Sequence, residues 1–132
     1  MSVAILETTF LIDILRGREA AGAVLTELER RSEPLFVSAP SVMELWQGAL
    51  ESGVPAKARE KVDEFLCAMP VLPLDGEAAR RAAEVLHELA RGGEPIETED
   101  AMIAGIAIVR GQTVVTRDAH FARVPGLRVL KY

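Results

Sequence analysis

The chain opens on a short unbroken apolar run, Val3-Ala4-Ile5-Leu6, and then changes rhythm. Four consecutive apolar residues are too few for a helix and suit a strand buried on both faces. Three polar residues, Glu7, Thr8 and Thr9, end the run. Beyond them Phe10 and Ile14, and Leu11 and Leu15, are spaced four apart, the interval that stacks side chains on one face of a helix. Thr8 or Thr9 is placed to cap that helix through its hydroxyl, and Gly17 to close it. The predicted opening is therefore strand, acidic residue, helix. Glu7 then falls at the carboxyl end of a central strand, where open parallel sheets bind their ligands.

The two rhythms alternate to the end of the chain. Residues 19–31 read as a helix with Val24 and Leu28 inward and Glu27, Glu29, Arg30 and Arg31 on the wet side. Pro34 breaks it, and residues 35–37 form a second short strand. Ser38-Ala39-Pro40-Ser41 leads into a helix over about residues 42–50, with proline near its start. Pro55 begins another, to about residue 69, with Val62, Phe65, Leu66 and Met69 on one face, and Val71-Leu72 is a short strand. Asp75 caps an amphipathic helix over residues 76–91, with Ala79, Ala82, Ala83, Leu86 and Leu89 inward. Pro95-Ile96 is extended. Asp100 opens a helix that is apolar almost all round through Val109, the mark of a buried helix. Residues 113–116 are a strand, Pro125-Gly126 a type II turn, and residues 127–130 the last strand. Short strands alternating with helices predict an α/β domain with a parallel sheet. One domain spans residues 1–132, and the helical excursion over 40–91 is expected to cover one side of the sheet.

The composition supports a packed fold. Of 132 residues, 49% are hydrophobic and 27% charged, which argues against disorder. Cys67 is the single cysteine; it excludes an internal disulfide, favours a reducing compartment, and is expected to pack as a small core residue. No apolar run approaches the ~18 residues of a membrane-spanning helix, and the N-terminus lacks a signal pattern, so a cytoplasmic protein with no membrane association is expected. The formal net charge is −5, unevenly spread: from Arg110 to Tyr132 five basic residues accompany only Asp118, so that segment is +4 and the remainder −9. Such a basic stripe can guide a phosphate backbone, although the same arginines also read as a solvated surface.

Four acids fall at strand ends or helix starts: Glu7, Glu44, Asp100 and Asp118. In a parallel sheet those positions share one edge. Converging carboxylates repel, so a hard divalent cation, Mg²⁺ or Mn²⁺, suits them, and metal-assisted phosphodiester hydrolysis is the reaction that fits. Each acid also has a plainer reading. Glu44 lies three after Ser41, the capping-box spacing; Asp100 suits a helix N-terminus; Asp118 caps a short turn at residues 119–122. Glu7 is hardest to explain as structure, because a carboxylate after a buried strand is costly unless paired or bound to metal. Asp13 is expected to face water or an arginine. His87 and His120 stand in metal-ligand spacing with nothing along the sequence.

Four blocks carry a resemblance: strand–Glu7-Thr8-Thr9–helix, Ser38-Ala39-Pro40-Ser41-Val42-Met43-Glu44-Leu45, Glu99-Asp100-Ala101-Met102-Ile103-Ala104, and Val115-Thr116-Arg117-Asp118-Ala119-His120-Phe121 with Val124-Pro125-Gly126-Leu127. Together they resemble a PIN-domain ribonuclease and are most similar to the VapC toxins, over essentially the whole chain. The resemblance implies a three-layer α/β/α sandwich with a parallel sheet of four or five strands. It implies a Mg²⁺- or Mn²⁺-dependent endoribonuclease, often dimeric, held in check by an antitoxin protein. The family's acidic positions fall on Glu7, Glu44, Asp100 and Asp118, with Glu7, Asp100 and Asp118 as metal ligands. Thr116 and Thr8 or Thr9 would orient ligands or water. Arg117, Arg123 and Arg128 would hold the RNA. The family's first acid is normally aspartate, and glutamate here is one methylene longer. The alternative it raises is a catalytically weakened module that binds RNA or protein.

Overall fold

The computed structural model describes residues 4–132; Val3 of the predicted first strand lies outside them. The elements follow the predicted alternation: β1 (Ala4–Leu6), α1 (Thr8–Leu15), α2 (Glu19–Arg30), β2 (Leu35–Ser38), α3 (Ala39–Leu50), α4 (Pro55–Leu66), β3 (Val71–Leu72), α5 (Gly76–Arg91), α6 (Thr98–Arg110), β4 (Thr113–Thr116), a short 3-10 helix (Ala119–Arg123) and β5 (Arg128–Lys131). The five strands form one parallel sheet in the order β3-β2-β1-β4-β5. β1 is therefore central, and the chain reverses its direction of winding between β1 and β4, the place where such sheets open a crevice at their carboxyl ends.

Side-chain alternation along each strand divides the core. Ala4, Leu6, Val37 and Val115 point to one face and meet α1, α2, α3 and α4, with Phe10 and Leu11 at the centre. Ile5 and Val114 point to the other face, under α5 and α6, with Ile103, Ile106 and Phe121. The result is the expected three-layer sandwich. The excursion over 40–91 does not stay on one side, however: α3 and α4 join the first face, and β3 then passes the chain to α5 on the second.

Several local expectations change. Glu7, not a threonine, is the residue preceding α1, and its side chain makes no capping bond; Thr8 and Thr9 are already helical, and their hydroxyls serve the site described below. Ser38 caps α3 by accepting from the Ser41 amide at 3.3 Å, so α3 begins at Ala39 and Ser41–Glu44 is not a capping box. Helix α6 begins at Thr98, two residues before Asp100, and α4 ends at Leu66. The inward face of α5 is Ala78, Ala82, Val85 and Leu89, while Ala79 and Ala83 are exposed. An alanine-rich helix offers two nearly equivalent stripes, and close contact with α6 chooses between them: a Cβ built on Gly105 would lie 2.5 Å from the Ala78 carbonyl oxygen. Cys67 is exposed just beyond α4 and is not a core residue. Gly126, at φ 79°, makes the predicted type II turn.

Candidate active site

The site is built where β1 and β4 end side by side. Leu6 is in register with Val115, and the Glu7 amide donates to the Val115 carbonyl at 3.1 Å. That pairing continues β1 by one residue and brings Glu7 beside Thr116. Glu7 is only 2% exposed. Its Oε1 accepts from Thr9 Oγ1 at 2.6 Å and from the Thr116 hydroxyl. Each hydroxyl has one proton, so with both donated to Glu7 the 3.2 Å approach of Thr9 to Thr116 is a contact only. Burial pushes the Glu7 carboxyl above its ordinary range; the two threonines pull it back, and the Asp118 charge pushes the same way as burial.

A second hydroxyl chain holds Glu44 on α3. Thr8 Oγ1 donates to Glu44 Oε1 at 2.7 Å. Its proton being so used, Thr8 accepts from Ser41 at 2.8 Å, and Ser41 accepts from Ser38 at 3.2 Å. The consecutive threonines of α1 thus serve different acids: Thr8 orients Glu44, and Thr9 orients Glu7.

Asp100 enters from the first turn of α6 and Asp118 from the turn after β4. Burial, reinforced by the negative charges of Asp118, Glu7, Glu44 and Glu97, raises the Asp100 pKa to about 7. The other three predicted acids, Glu7, Glu44 and Asp118, therefore all lie within electrostatic reach of Asp100. Asp118 also fills its plainer role, accepting from the His120 amide at 2.9 Å to cap the 3-10 helix. Thr116 Oγ1 accepts from the Asp118 amide at 3.0 Å, so one hydroxyl ties Glu7 to the Asp118 backbone.

The donor chemistry fits a divalent cation. Carboxylate oxygens of Asp100 and Asp118 and a ring nitrogen of His120 all lie within 4.8 Å of one another. This group differs from the predicted ligand set in two ways. Glu7 has its carboxylate turned onto Thr9 and Thr116. His120, which has no ligand spacing along the sequence, reaches the site because a 3-10 turn carries the chain back over Asp118; a turn capped by a candidate metal-ligating acid was the available signal.

The arginines of the basic segment have separate positions. Arg117 pairs with Asp13 at 2.7 Å, so Asp13 faces an arginine as expected, while being 4% exposed rather than in water. Arg123 donates to the Pro95 carbonyl at 3.0 Å and lies 3.7 Å from Glu94, in the loop that leads into α6. Arg128 donates to the Gly111 carbonyl and pairs in register with Thr113, at the opposite end of the strands from the acids.

A strand-ordered 3-2-1-4-5 parallel sheet with acids gathered at the β1–β4 edge defines an α/β domain with a carboxylate-rich crevice. The PIN domain profile matches residues 4–127, and the chain belongs to that family. Among its relatives, it is 39% identical over 96 residues to the tRNA(fMet)-specific endonuclease VapC of Salmonella typhimurium, covering 72% of this chain and 73% of that one. It is 33% identical over 124 residues to the Shigella flexneri protein of the same name, covering 93% and 92%. The DNA-bound VapBC crystal structure from Salmonella typhimurium matches with a TM-score of 0.88 at 32% identity, covering 99% of this chain and 98% of that one. The VapBC2 structure from Rickettsia felis shares the fold, with a TM-score of 0.89 at 23% identity.

Proposed function

We propose that this protein is a metal-dependent endoribonuclease of the VapC toxin type, acting in the cytoplasm and restrained by an antitoxin. The observation that carries the reading is the meeting of Asp100 and Asp118 at the β1–β4 edge, with the Asp100 pKa held near 7 by burial and by its acidic neighbours. Such a site is short of positive charge. Asp100 and Asp118 would hold Mg²⁺ or Mn²⁺ directly, and Glu7 and Glu44 stand behind them. A bound cation at such a site makes water acidic and stabilises charge on phosphorus and the leaving oxygen. Thr9 and Thr116 keep the Glu7 carboxylate oriented, and the Ser38–Ser41–Thr8 chain does the same for Glu44. The names of the Salmonella and Shigella relatives support RNA as substrate and make initiator tRNA the first one to test.

Phosphate contacts would come from Arg117, next to Asp118 in the chain, and Arg123, which is bound to the loop that leads into α6. Arg128 belongs to the far end of the sheet, so its replacement should leave the salt dependence of RNA binding unchanged, while loss of the other two flattens it.

The partner reading rests on the VapBC likeness and on a surface feature. An apolar groove of about 310 Å³ runs between α1, α3 and α4, lined by Ile12, Leu15, Leu45, Ala49 and Val62, and Glu44 lines it too. It is shaped for the apolar face of an antitoxin helix, and through Glu44 it adjoins the acidic crevice. A homodimer is proposed from Met43, Leu50 and Val54, which are 50%, 48% and 61% exposed around α3; sedimentation of the wild type against Met43→Lys tests it. No helix among the described residues is long and apolar enough to cross a membrane.

The test is cleavage of purified initiator tRNA with Mg²⁺, with Mn²⁺ and with EDTA, using wild type, Asp100→Asn and Glu7→Asp. Metal-dependent cutting that falls at least roughly a hundredfold in Asp100→Asn supports the reading. Cutting that persists in EDTA overturns it. The engagement of Glu7 with two threonines favours one second reading, a binding module that cuts poorly: it predicts RNA binding without cleavage by wild type, and cleavage restored in Glu7→Asp.

A further inference from the structure

We propose that His120 is a ligand of the cation at this site and biases it toward Mn²⁺ over Mg²⁺. The inference rests on the metal-dependent reading above and adds a residue to it. A ring nitrogen of His120 shares the 4.8 Å cluster with the oxygens of Asp100 and Asp118, and His120 Nδ1 stands 3.2 Å from Asp118 Oδ1. Adjacent corners of an octahedron with bonds of about 2.1 Å are about 3.0 Å apart, and opposite corners about 4.2 Å. The nitrogen is thus spaced from Asp118 as a neighbouring ligand around a common centre would be.

The backbone makes this placement persistent. Asp118 Oδ1 accepts from the His120 amide at 2.9 Å, so the turn that positions the acid also positions the imidazole. His120 takes no part in the hydroxyl networks that hold Glu7 and Glu44, and its side chain is 46% exposed, open to an incoming ion. Glu7, by contrast, has Oε1 held by Thr9 and Thr116 and lies outside the 4.8 Å group. His120 therefore adds a third protein donor beside Asp100 and Asp118. Carboxylates alone suit Mg²⁺ and Mn²⁺ alike; an imidazole nitrogen is a poor partner for Mg²⁺ and a good one for first-row transition cations.

The experiment measures metal binding without turnover. Mn²⁺ and Mg²⁺ affinities are determined by calorimetry for the wild type, His120→Ala, His120→Asp, His87→Ala and Asp100→Asn. Electron spin-echo spectra of the Mn²⁺ forms report a directly bound histidine nitrogen. The wild type and His87→Ala should show that nitrogen, and His120→Ala should lose it. Its Mn²⁺ affinity should fall at least about tenfold, within the range for altered metal sites, while Mg²⁺ affinity moves far less. His120→Asp should bind Mg²⁺ at least as tightly as the wild type, with a lower Mn²⁺ preference. A nitrogen signal that survives His120→Ala, or equal losses for both cations, overturns the inference. If the wild type binds either cation and only Asp100→Asn disrupts it, His120 is no ligand and the nuclease reading stands. If the wild type binds neither, both fail.

Discussion

Arg117 and Asp13 are 104 positions apart in the chain and 2.7 Å apart in the fold. The guanidinium reaches Asp13 Oδ2 through Nε and Oδ1 through a terminal nitrogen at 3.3 Å, and the Tyr132 hydroxyl donates to Oδ2 at 2.8 Å. The pair fastens the turn after β4, and with it Asp118, to helix α1, whose first turn orients Glu7 and Glu44.

Arg117→Ala leaves the buried Asp13 carboxylate with Tyr132 alone, and should cost about 2 kcal/mol, below the full range for a buried pair because the arginine is half exposed. Hydrogen bonding from Arg117 holds the Asp13 pKa below its ordinary value, against the opposing effect of burial. A depressed carboxylate stabilises the fold above its unfolded pKa of about 3.9 and loses that contribution as pH falls through the folded value. Urea unfolding should therefore give a large Arg117–Asp13 coupling at pH 7 that shrinks in acid. A coupling independent of pH would mean that packing, not charge, joins them.

Asp100→Asn should stabilise the metal-free protein at pH 8. The folded pKa of Asp100 is raised to about 7, so the folded state binds a proton that the unfolded state has released, and stability falls as pH rises from about 4 to 7. Asparagine removes that loss, a gain of about 2 kcal/mol once solvent access is discounted. Thermal melts in EDTA should show the variant furthest above wild type at pH 8, with the gap reduced to roughly a third at pH 5 and nearly closed below about pH 4. An unchanged difference across that interval would place the strain elsewhere.

Thr116→Val keeps the shape of the side chain and deletes the donor to Glu7 and the acceptor for the Asp118 amide. We expect a loss of about 2 kcal/mol, the scale of a hydrogen bond to a charged group. We also expect kcat for RNA cleavage to fall at least about tenfold with little change in KM, because misplacement at a reacting centre is read in turnover. Thr116→Ser should recover most of both. Equal loss in the serine variant would show that the methyl group, not the hydroxyl, is what matters.

Gly105→Ala tests the contact that seats α6. A Cβ there would meet the Ala78 carbonyl at 2.5 Å and the Ala82 amide at 2.9 Å, both backbone atoms. Overpacking of this kind should cost about 2 kcal/mol or more and move Asp100, weakening metal binding as well. Gly48→Ala in α3 meets nothing within 4 Å and should be neutral or gain up to about 1 kcal/mol from helix propensity. Chemical denaturation of the two variants side by side distinguishes crowding from a general effect of alanine.

Elements were legible where local rules govern them. The short apolar runs, the four-residue spacings, Pro34 and Pro55, and Asp75 before α5 mark the strands and helices to within a few residues. Local rules do not choose where two solutions are nearly equal. Ser38 and Ser41 both stand before a helix, and Ala78/Ala82 and Ala79/Ala83 are equally apolar stripes; neither choice is made by the segment itself. Cys67 has apolar neighbours in the sequence, but it falls just past the last turn of α4, on the wet side.

The sequence by itself determined the α/β alternation, the central place of β1 and the four acids at one sheet edge, because periodicity and strand-end position are properties of short segments. Only the tertiary structure decided what those acids touch. The register of β1 on β4 turns Glu7 onto Thr116, the approach of α1 to α3 joins Thr8 to Glu44, and the 3-10 turn brings His120 beside Asp100 and Asp118. These contacts join residues distant in the chain, and the side-chain rotations that complete them are set by packing. Spacing along the sequence carries no record of either.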